Sequence, residues 1–213
     1  MKILYEDNHI IVVLKNYNEL VQKDITKDSN MVDDLKNYLK EKYNKPGNVY
    51  LGLVHRLDRP VGGIMIFAKT SKAASRLSLQ FKNNEIQKNY IALVHNKAKK
   101  HDILTDYLLK DDNNTSKVVK KNIGKESILE YNLIKYIGNF SLIDINLLTG
   151  RHHQIRVQLS NAGFPIYGDQ RYGIDFKKIQ IHLYAYKLSF IHPVKKERME
   201  FINYPEFSNL EKI

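Results

Sequence analysis

The chain has 213 residues, with 34 Lys and Arg against 23 Asp and Glu, a formal charge of +11, and no Cys. Without Cys there is no disulfide, no thiolate nucleophile and no Cys-ligated zinc, and a reducing, cytoplasmic setting is expected. The opening residues, MKILYEDNHI, place acids where a signal peptide is apolar, and no apolar run approaches the ~20 residues that a membrane span needs.

In chain order, ILYEDNHIIVVLK reads as two short strands around the turn EDNH. NYNELVQKDITKDSN has no period and reads as loop. SNMVDDLKNYLKEKY is a helix capped by Ser29 or Asn30, with Val32, Leu35 and Leu39 on one face, and NKPGN stops it. GIMIFAKT is a buried strand by its continuous apolar character. TSKAASRLSLQFKNN is a helix capped by Thr70 or Ser71, with Ala73, Ala74, Leu77 and Phe81 lining one face. KNYIALVH is a strand. Residues 96–127, with the basic cluster KVVKKNIGK, should hold short strands and loops. ILEYNLIKYI and FSLIDINLL alternate around Gly138-Asn139, a hairpin signal. TGRHHQIRVQLSNAG is helical from His153, with Ile155, Leu159 and Ala162 at helical spacing and Gly163 as its stop. QIHLYAYKLSFI and ERMEFI close the chain as strands. Strands predominate, about three helices interrupt them, and hairpins join neighbours. That pattern predicts an α+β fold with a mixed, mainly antiparallel sheet flanked by helices. No repeat or Gly/Ser linker divides it, so one domain over residues 1–213 is expected.

The positive field suits a polyanion, although a Lys-rich coding bias produces the same excess. The densest chemistry is in LVHRLDRPVGG, where His55, Arg56 and Asp58 precede a proline turn and a buried strand. Dehydration there would raise the Asp58 pKa, so an ionised Asp58 needs a fixed cation, for which Arg suits better than Lys. Arg56 lies two residues away on an extended segment and does not face it. Arg151 and Arg156 in TGRHHQIRVQL are the alternatives. Taken alone, an Asp before a proline turn is most often a turn-former bonded to its own backbone. His152 and His153 are adjacent rather than four apart, so no metal site is expected. Dinucleotide, P-loop and G-x-S-x-G motifs are absent. Paired carboxylates of the glycoside-hydrolase kind stay open, but Asp33-Asp34 and Asp111-Asp112 read more simply as a helix start and a loop.

Four segments, VHRLDRPVGGIMIFAKT, QFKNNEIQKNYIALV, LLTGRHHQIRVQLSNAGFPIYGDQRYG and HLYAYKLSFIHP, resemble in order the signature segments of the RluA family of RNA pseudouridine synthases. The resemblance implies the catalytic fold of that family, with a central cleft that holds RNA. It implies isomerisation of uridine in structured rRNA or tRNA, with no cofactor, no metal, no obligatory protein partner, and a monomer as the default state. It places the catalytic Asp at Asp58, the conserved Tyr at Tyr90 and the active-site basic residue at Arg156. Arg156 would keep Asp58 ionised and aim it, and Tyr90 would stack on the base and relay a proton. Arg56 would fill the place of the extruded uridine, with His55, Arg151 and His153 as further RNA-binding or supporting residues. Three departures stand out. The N-terminal Asn-Lys-Pro and Gly turn reads LKNYNEL, with Lys15 kept. Val61-Gly62-Gly63 replaces Thr-Ser-Gly, and His152 replaces a small Thr or Ser. An accessory N-terminal RNA-binding domain is not expected. The competing reading, a non-catalytic RNA-binding or RNA-folding protein on the same scaffold, is disfavoured by the intact trio.

Overall fold

The computed structural model describes residues 2–24, 28–175 and 178–209. The chain forms two compact units, the first of Met1–Ile86 and Lys187–Asn203 and the second of Gln87–Tyr186 and Tyr204–Ile213.

Unit 1 opens with β1 (Lys2–Glu6) and β2 (Ile10–Lys15), antiparallel as expected. Asp7 makes the turn, its Oδ1 accepting from the main-chain N–H of His9 at 2.8 Å and of Ile10 at 2.9 Å. The loop that follows carries a bridge from Leu20 to Asn30, and residues 25–27 of it lie outside the described residues. Helix α1 (Met31–Lys42) is capped by Asn30, which accepts from the Asp33 N–H, while Asp33 and Asp34 sit at the positive end of the helix dipole. Its buried face is Met31, Leu35 and Leu39. Val32 is only half-buried, because the 31/35/39 spacing follows the core more closely than 32/35/39. After β3 (Gly52–Leu53), β4 (Gly62–Ala68) pairs antiparallel with β2, and all of its residues are buried. Burial on both faces is why the strand is continuously apolar. Helix α2 (Ser71–Lys82) is capped by Thr70 and buries Ala73, Leu77 and Gln80. Ala74 and Phe81 pack partly buried against the same core.

A four-donor cage closes one side of unit 1. Glu6 accepts from Lys42 at 2.7 Å, Tyr38 at 3.0 Å, Lys69 at 2.6 Å and Tyr43 at 2.7 Å. Burial pushes its pKa up, but the four donors outweigh burial and hold it at about 2. A depressed carboxylate contributes stability that is complete above its unfolded value of 4.5 and is lost as pH falls toward about 2. Glu6→Gln should therefore cost about 2 kcal/mol at pH 7, a figure reduced because part of the cage is exposed. Melting curves of both proteins from pH 7 to pH 3 should converge on the acid side, and a pH-independent gap would refute this account.

The strands of unit 2 run in the order β5-β9-β8-β6-β7, so β5 and β6 are not neighbours. They are β5 (Gln87–His95), β6 (His101–Lys110), β7 (Ser116–Val119), β8 (Lys125–Ile137) and β9 (Phe140–Leu147), and each neighbouring pair is antiparallel. Gly138 turns the β8–β9 hairpin at φ 56°, with Ile137 facing Phe140. Strand β6 is longer than its polar sequence suggested. It is largely exposed, so its pairing to β8 and β7, rather than its own hydrophobicity, defines it. Helix α3 (Gln154–Asn161) begins after His153, as expected, and Gly163 follows it at φ 89°. Strand β10 (Leu183–Ile191) begins in unit 2 and ends in unit 1, where its second half pairs with β11 (Arg198–Ile202). Leu188 and Phe190 thereby join Ile10, Val12, Ile64, Ile66 and Leu77 in the unit 1 core. The described residues hold three α-helices among mostly antiparallel strands, which matches the expected class. No helix among the described residues is long and apolar enough to cross a membrane.

Candidate active-site residues

In unit 1, Asp58 is half-buried between the buried Leu57 and the exposed Arg59. The Val61 N–H donates to the Asp58 carbonyl at 3.0 Å, so the main chain closes this proline turn and the carboxylate is not needed to close it. Beneath the turn lies Lys15, the last residue of β2 and 1% exposed. Its ammonium donates to the carbonyls of Asn16 at 3.0 Å, Arg59 at 2.9 Å and Val61 at 2.7 Å, one for each N–H. Burial pulls its pKa down to about 8, while Glu19 and Asp58 pull the other way. Gly63, opposite Lys15 across the β2–β4 pair, adopts φ 137°, which a side chain would oppose. Lys15 was legible in the sequence only as a retained residue. Its role as the pin of the Asp58 turn depends on a residue 46 positions away.

The two arginines flanking Asp58 differ. Arg59 is committed to Asp28 at 2.6 Å and to the Asn18 carbonyl at 3.3 Å. Arg56 is exposed, and its guanidinium makes no hydrogen bond or ion pair among the described residues. His55 stacks on Phe81 with ring centroids 4.7 Å apart, and its Nε2 accepts from the Ile66 N–H of β4 at 3.0 Å. The structure thus gives His55 a task in holding the Asp58 segment against β4.

Unit 2 carries Tyr90, Arg151, His153 and Arg156. Tyr90 is buried in β5, opposite Ile145 of β9. Helix α3 is buried from Gln154 to Leu159, so its polar side chains require internal partners. Arg156 Nε donates to Asp169 Oδ2 at 2.8 Å and a terminal nitrogen to Oδ1 at 2.7 Å, a bidentate fork. Its guanidinium also lies over the Tyr172 ring, 5.1 Å from the centroid. Burial pushes the Asp169 carboxyl up, but Arg156 and the N–H groups of Arg171 and Tyr172 win and hold it below its ordinary value.

The Tyr172 hydroxyl accepts from the Ser116 N–H at 2.8 Å and lies 2.7 Å from His153 Nδ1. His153, at φ 52°, also stacks on His152 with centroids 3.7 Å apart, and His152 Nδ1 lies 2.9 Å from Ser116 Oγ. The expected His153 is therefore part of the frame around Arg156. Arg151 is exposed, its Nε donating to the Glu126 carbonyl at 2.9 Å and its main-chain N–H to Gln154 Oε1 at 2.9 Å. The sequence reading passed over Asp169 and Tyr172. The available signal was an acid in the glycine-bounded GDQRYG turn, where a Cβ on Gly173 would collide with the Asp169 carbonyl.

The sequence and this geometry were compared with known proteins. A family profile described as RNA pseudouridylate synthase matches residues 9–161. The chain is 35% identical over 211 residues to "Ribosomal large subunit pseudouridine synthase C" of Buchnera aphidicola, covering 92% of this chain and 64% of that one. It is 35% identical over 195 residues to "Ribosomal large subunit pseudouridine synthase D" of Borreliella burgdorferi, covering 87% and 60%. The chain thus spans just under two thirds of the length of these relatives. Among solved structures, "Human RNA Pseudouridylate Synthase Domain Containing 4" superposes with a TM-score of 0.80 at 22% identity, covering 97% of this chain and 89% of that one. At that identity the likeness speaks to the fold.

Proposed function

The chain belongs to the RNA pseudouridylate synthase family, and from that premise we propose that it isomerises uridine in structured RNA to pseudouridine, with Asp58 as the carboxylate that starts the exchange. The observation that carries this reading is the family match over residues 9–161, a span that contains Asp58, Tyr90 and Arg156. The names of the relatives favour large-subunit ribosomal RNA as the target class. A formal charge of +11 suits a phosphate backbone, and binding should weaken steeply with salt. On the same reading the protein works in the cytoplasm, as a monomer and without a cofactor.

In the reaction, the bond from N1 of uracil to the ribose breaks, the base turns, and carbon 5 joins the ribose. Carbon 5 then loses its proton and N1 gains one, so atoms and charge balance without an external reagent. Asp58 initiates, either by attack or by taking a sugar proton. Arg156 serves as the active-site basic residue that aims Asp58. Its own guanidinium is oriented by the fork to Asp169. Tyr90 offers a ring to the uracil and a hydroxyl for the carbon-5 proton. Arg56 takes the place of the extruded base.

The test is release of tritium from a ribosomal RNA transcript labelled at carbon 5 of uridine, since isomerisation alone frees that label. The reading fails if RNA binds and no label is released. Arg56→Ala should slow release about tenfold or more on a stem-loop and much less on an unstructured oligonucleotide, because extrusion costs a few kcal/mol only where the base is stacked and paired. Equal slowing on both would remove the base-extrusion role of Arg56.

A further inference from the structure

Among the cations of unit 2 that the proposed reaction does not use is Lys88. Lys88 lies on β5, two residues before Tyr90 and so on the same face of the strand. It is half-buried. A Cβ built on Gly150 would sit 3.7 Å from its Nζ, so the ammonium lies against the loop that leads into α3. Arg151 occupies the next position of that loop, and its charge is felt at Lys88. Among the described residues the Lys88 ammonium makes no hydrogen bond or ion pair. Burial, and then Arg151, pulls its pKa down to about 8.

Burying an ammonium without a counter-ion is unfavourable, and a second cation beside it adds to the cost. A lysine that serves packing alone turns its head toward open water or a carboxylate. This one lies against Gly150, on a loop whose backbone is fixed from below. Gln154 fixes it, its Oε1 accepting from Thr149 Oγ1 at 2.9 Å and from the Arg151 N–H at 2.9 Å. Gln154 is fixed in turn by its own donation to the Ile128 carbonyl at 3.1 Å. Gly150 leaves the space beside the ammonium without a side chain. An ammonium set against a fixed loop, with the exposed Arg151 at the next position of that loop, is what an anion site needs before its ligand arrives.

We propose that Lys88 and Arg151 form a subsite that binds one backbone phosphate of the RNA beside Tyr90. This rests on the isomerase reading, which supplies the polyanion. The subsite positions the RNA backbone and has no part in bond making.

The experiment compares wild type, Lys88→Met and Lys88→Arg for thermal melting, for affinity to the ribosomal RNA transcript across a salt series, and for tritium release. Lys88→Met should raise the melting temperature, because an uncompensated cation is removed. It should also weaken RNA binding about tenfold near 100 mM salt and lower the slope of log affinity against log salt by about one. Lys88→Arg should keep the wild-type slope. RNAs carrying a single neutral methylphosphonate should reveal one position that costs affinity in wild type and costs none in Lys88→Met. An unchanged slope in a folded Lys88→Met protein overturns the subsite. A lowered melting temperature with unchanged slope does so too, and makes Lys88 a structural residue. If wild type releases no tritium yet Lys88→Met lowers the slope, the isomerase reading falls and the phosphate site stands. If wild type turns over and the slope does not change, the outcome is the reverse.

Discussion

Asp58→Ala is expected to abolish tritium release, a fall on the order of 10⁴-fold or more, while RNA affinity stays within a few-fold of wild type. The size of the effect follows from the role proposed for the carboxylate, which begins the only bond exchange in the reaction. The structure makes the experiment clean. The turn at 58–61 is closed by the Asp58 carbonyl and pinned by two Lys15 hydrogen bonds, to the carbonyls of Arg59 and Val61, and none of those bonds uses the carboxylate. The loop should therefore survive the substitution. The melting temperature should change little, and what change occurs should track Lys15, which loses a favourable negative charge nearby. Asp58→Asn, which keeps the shape, should be as inactive as Asp58→Ala. Wild-type turnover by Asp58→Ala, in protein shown to bind RNA, would end the mechanism.

Arg156→Met is expected to cost both stability and activity, and its partner allows the two losses to be separated. Both members of the Arg156–Asp169 pair are buried, at 6% and 1% side-chain exposure. Removing one partner leaves the other as an uncompensated buried charge, at a cost of about 3–5 kcal/mol. Arg156→Met and Asp169→Leu should each be strongly destabilised. The double variant should recover much of that stability, because two apolar groups replace a desolvated pair. It should still release no tritium, because the guanidinium proposed to aim Asp58 is gone. A double variant that is stable and active would assign Arg156 a purely structural role.

The pH dependence carries a sign. In wild type, Asp169 is held below 3.8, so its stabilising contribution is complete above that value and is lost as the pH falls through the depressed one. In Arg156→Met only burial and two backbone N–H groups remain as the main influences. The pKa of Asp169 then rises, and the variant should lose stability as pH increases. Opposite slopes of melting temperature against pH below neutrality are the expected signature.

Local chemistry along the chain was enough to place nearly every element. Asn30 and Thr70 cap their helices because an oxygen positioned to meet an orphan N–H acts within three residues. Gly138 turns its hairpin because it tolerates positive φ. Lys15 in an apolar strand, Arg156 in a buried helix and the acid after LVHRL were all visible as residue types. What surrounds them was not. Two of the carbonyls that pin Lys15 come from 44 and 46 positions on, and the carboxylate that grips Arg156 comes from a glycine-bounded turn 13 residues on. The tie of His153 to Tyr172 and the approach of Lys88 to Gly150 likewise join separate strands and loops. Caps, turns and amphipathic faces are set by neighbours within a few positions, where sequence spacing is spatial spacing. Partners of buried charges are chosen by tertiary packing, which brings distant positions within 3 Å and makes any unpaired one expensive.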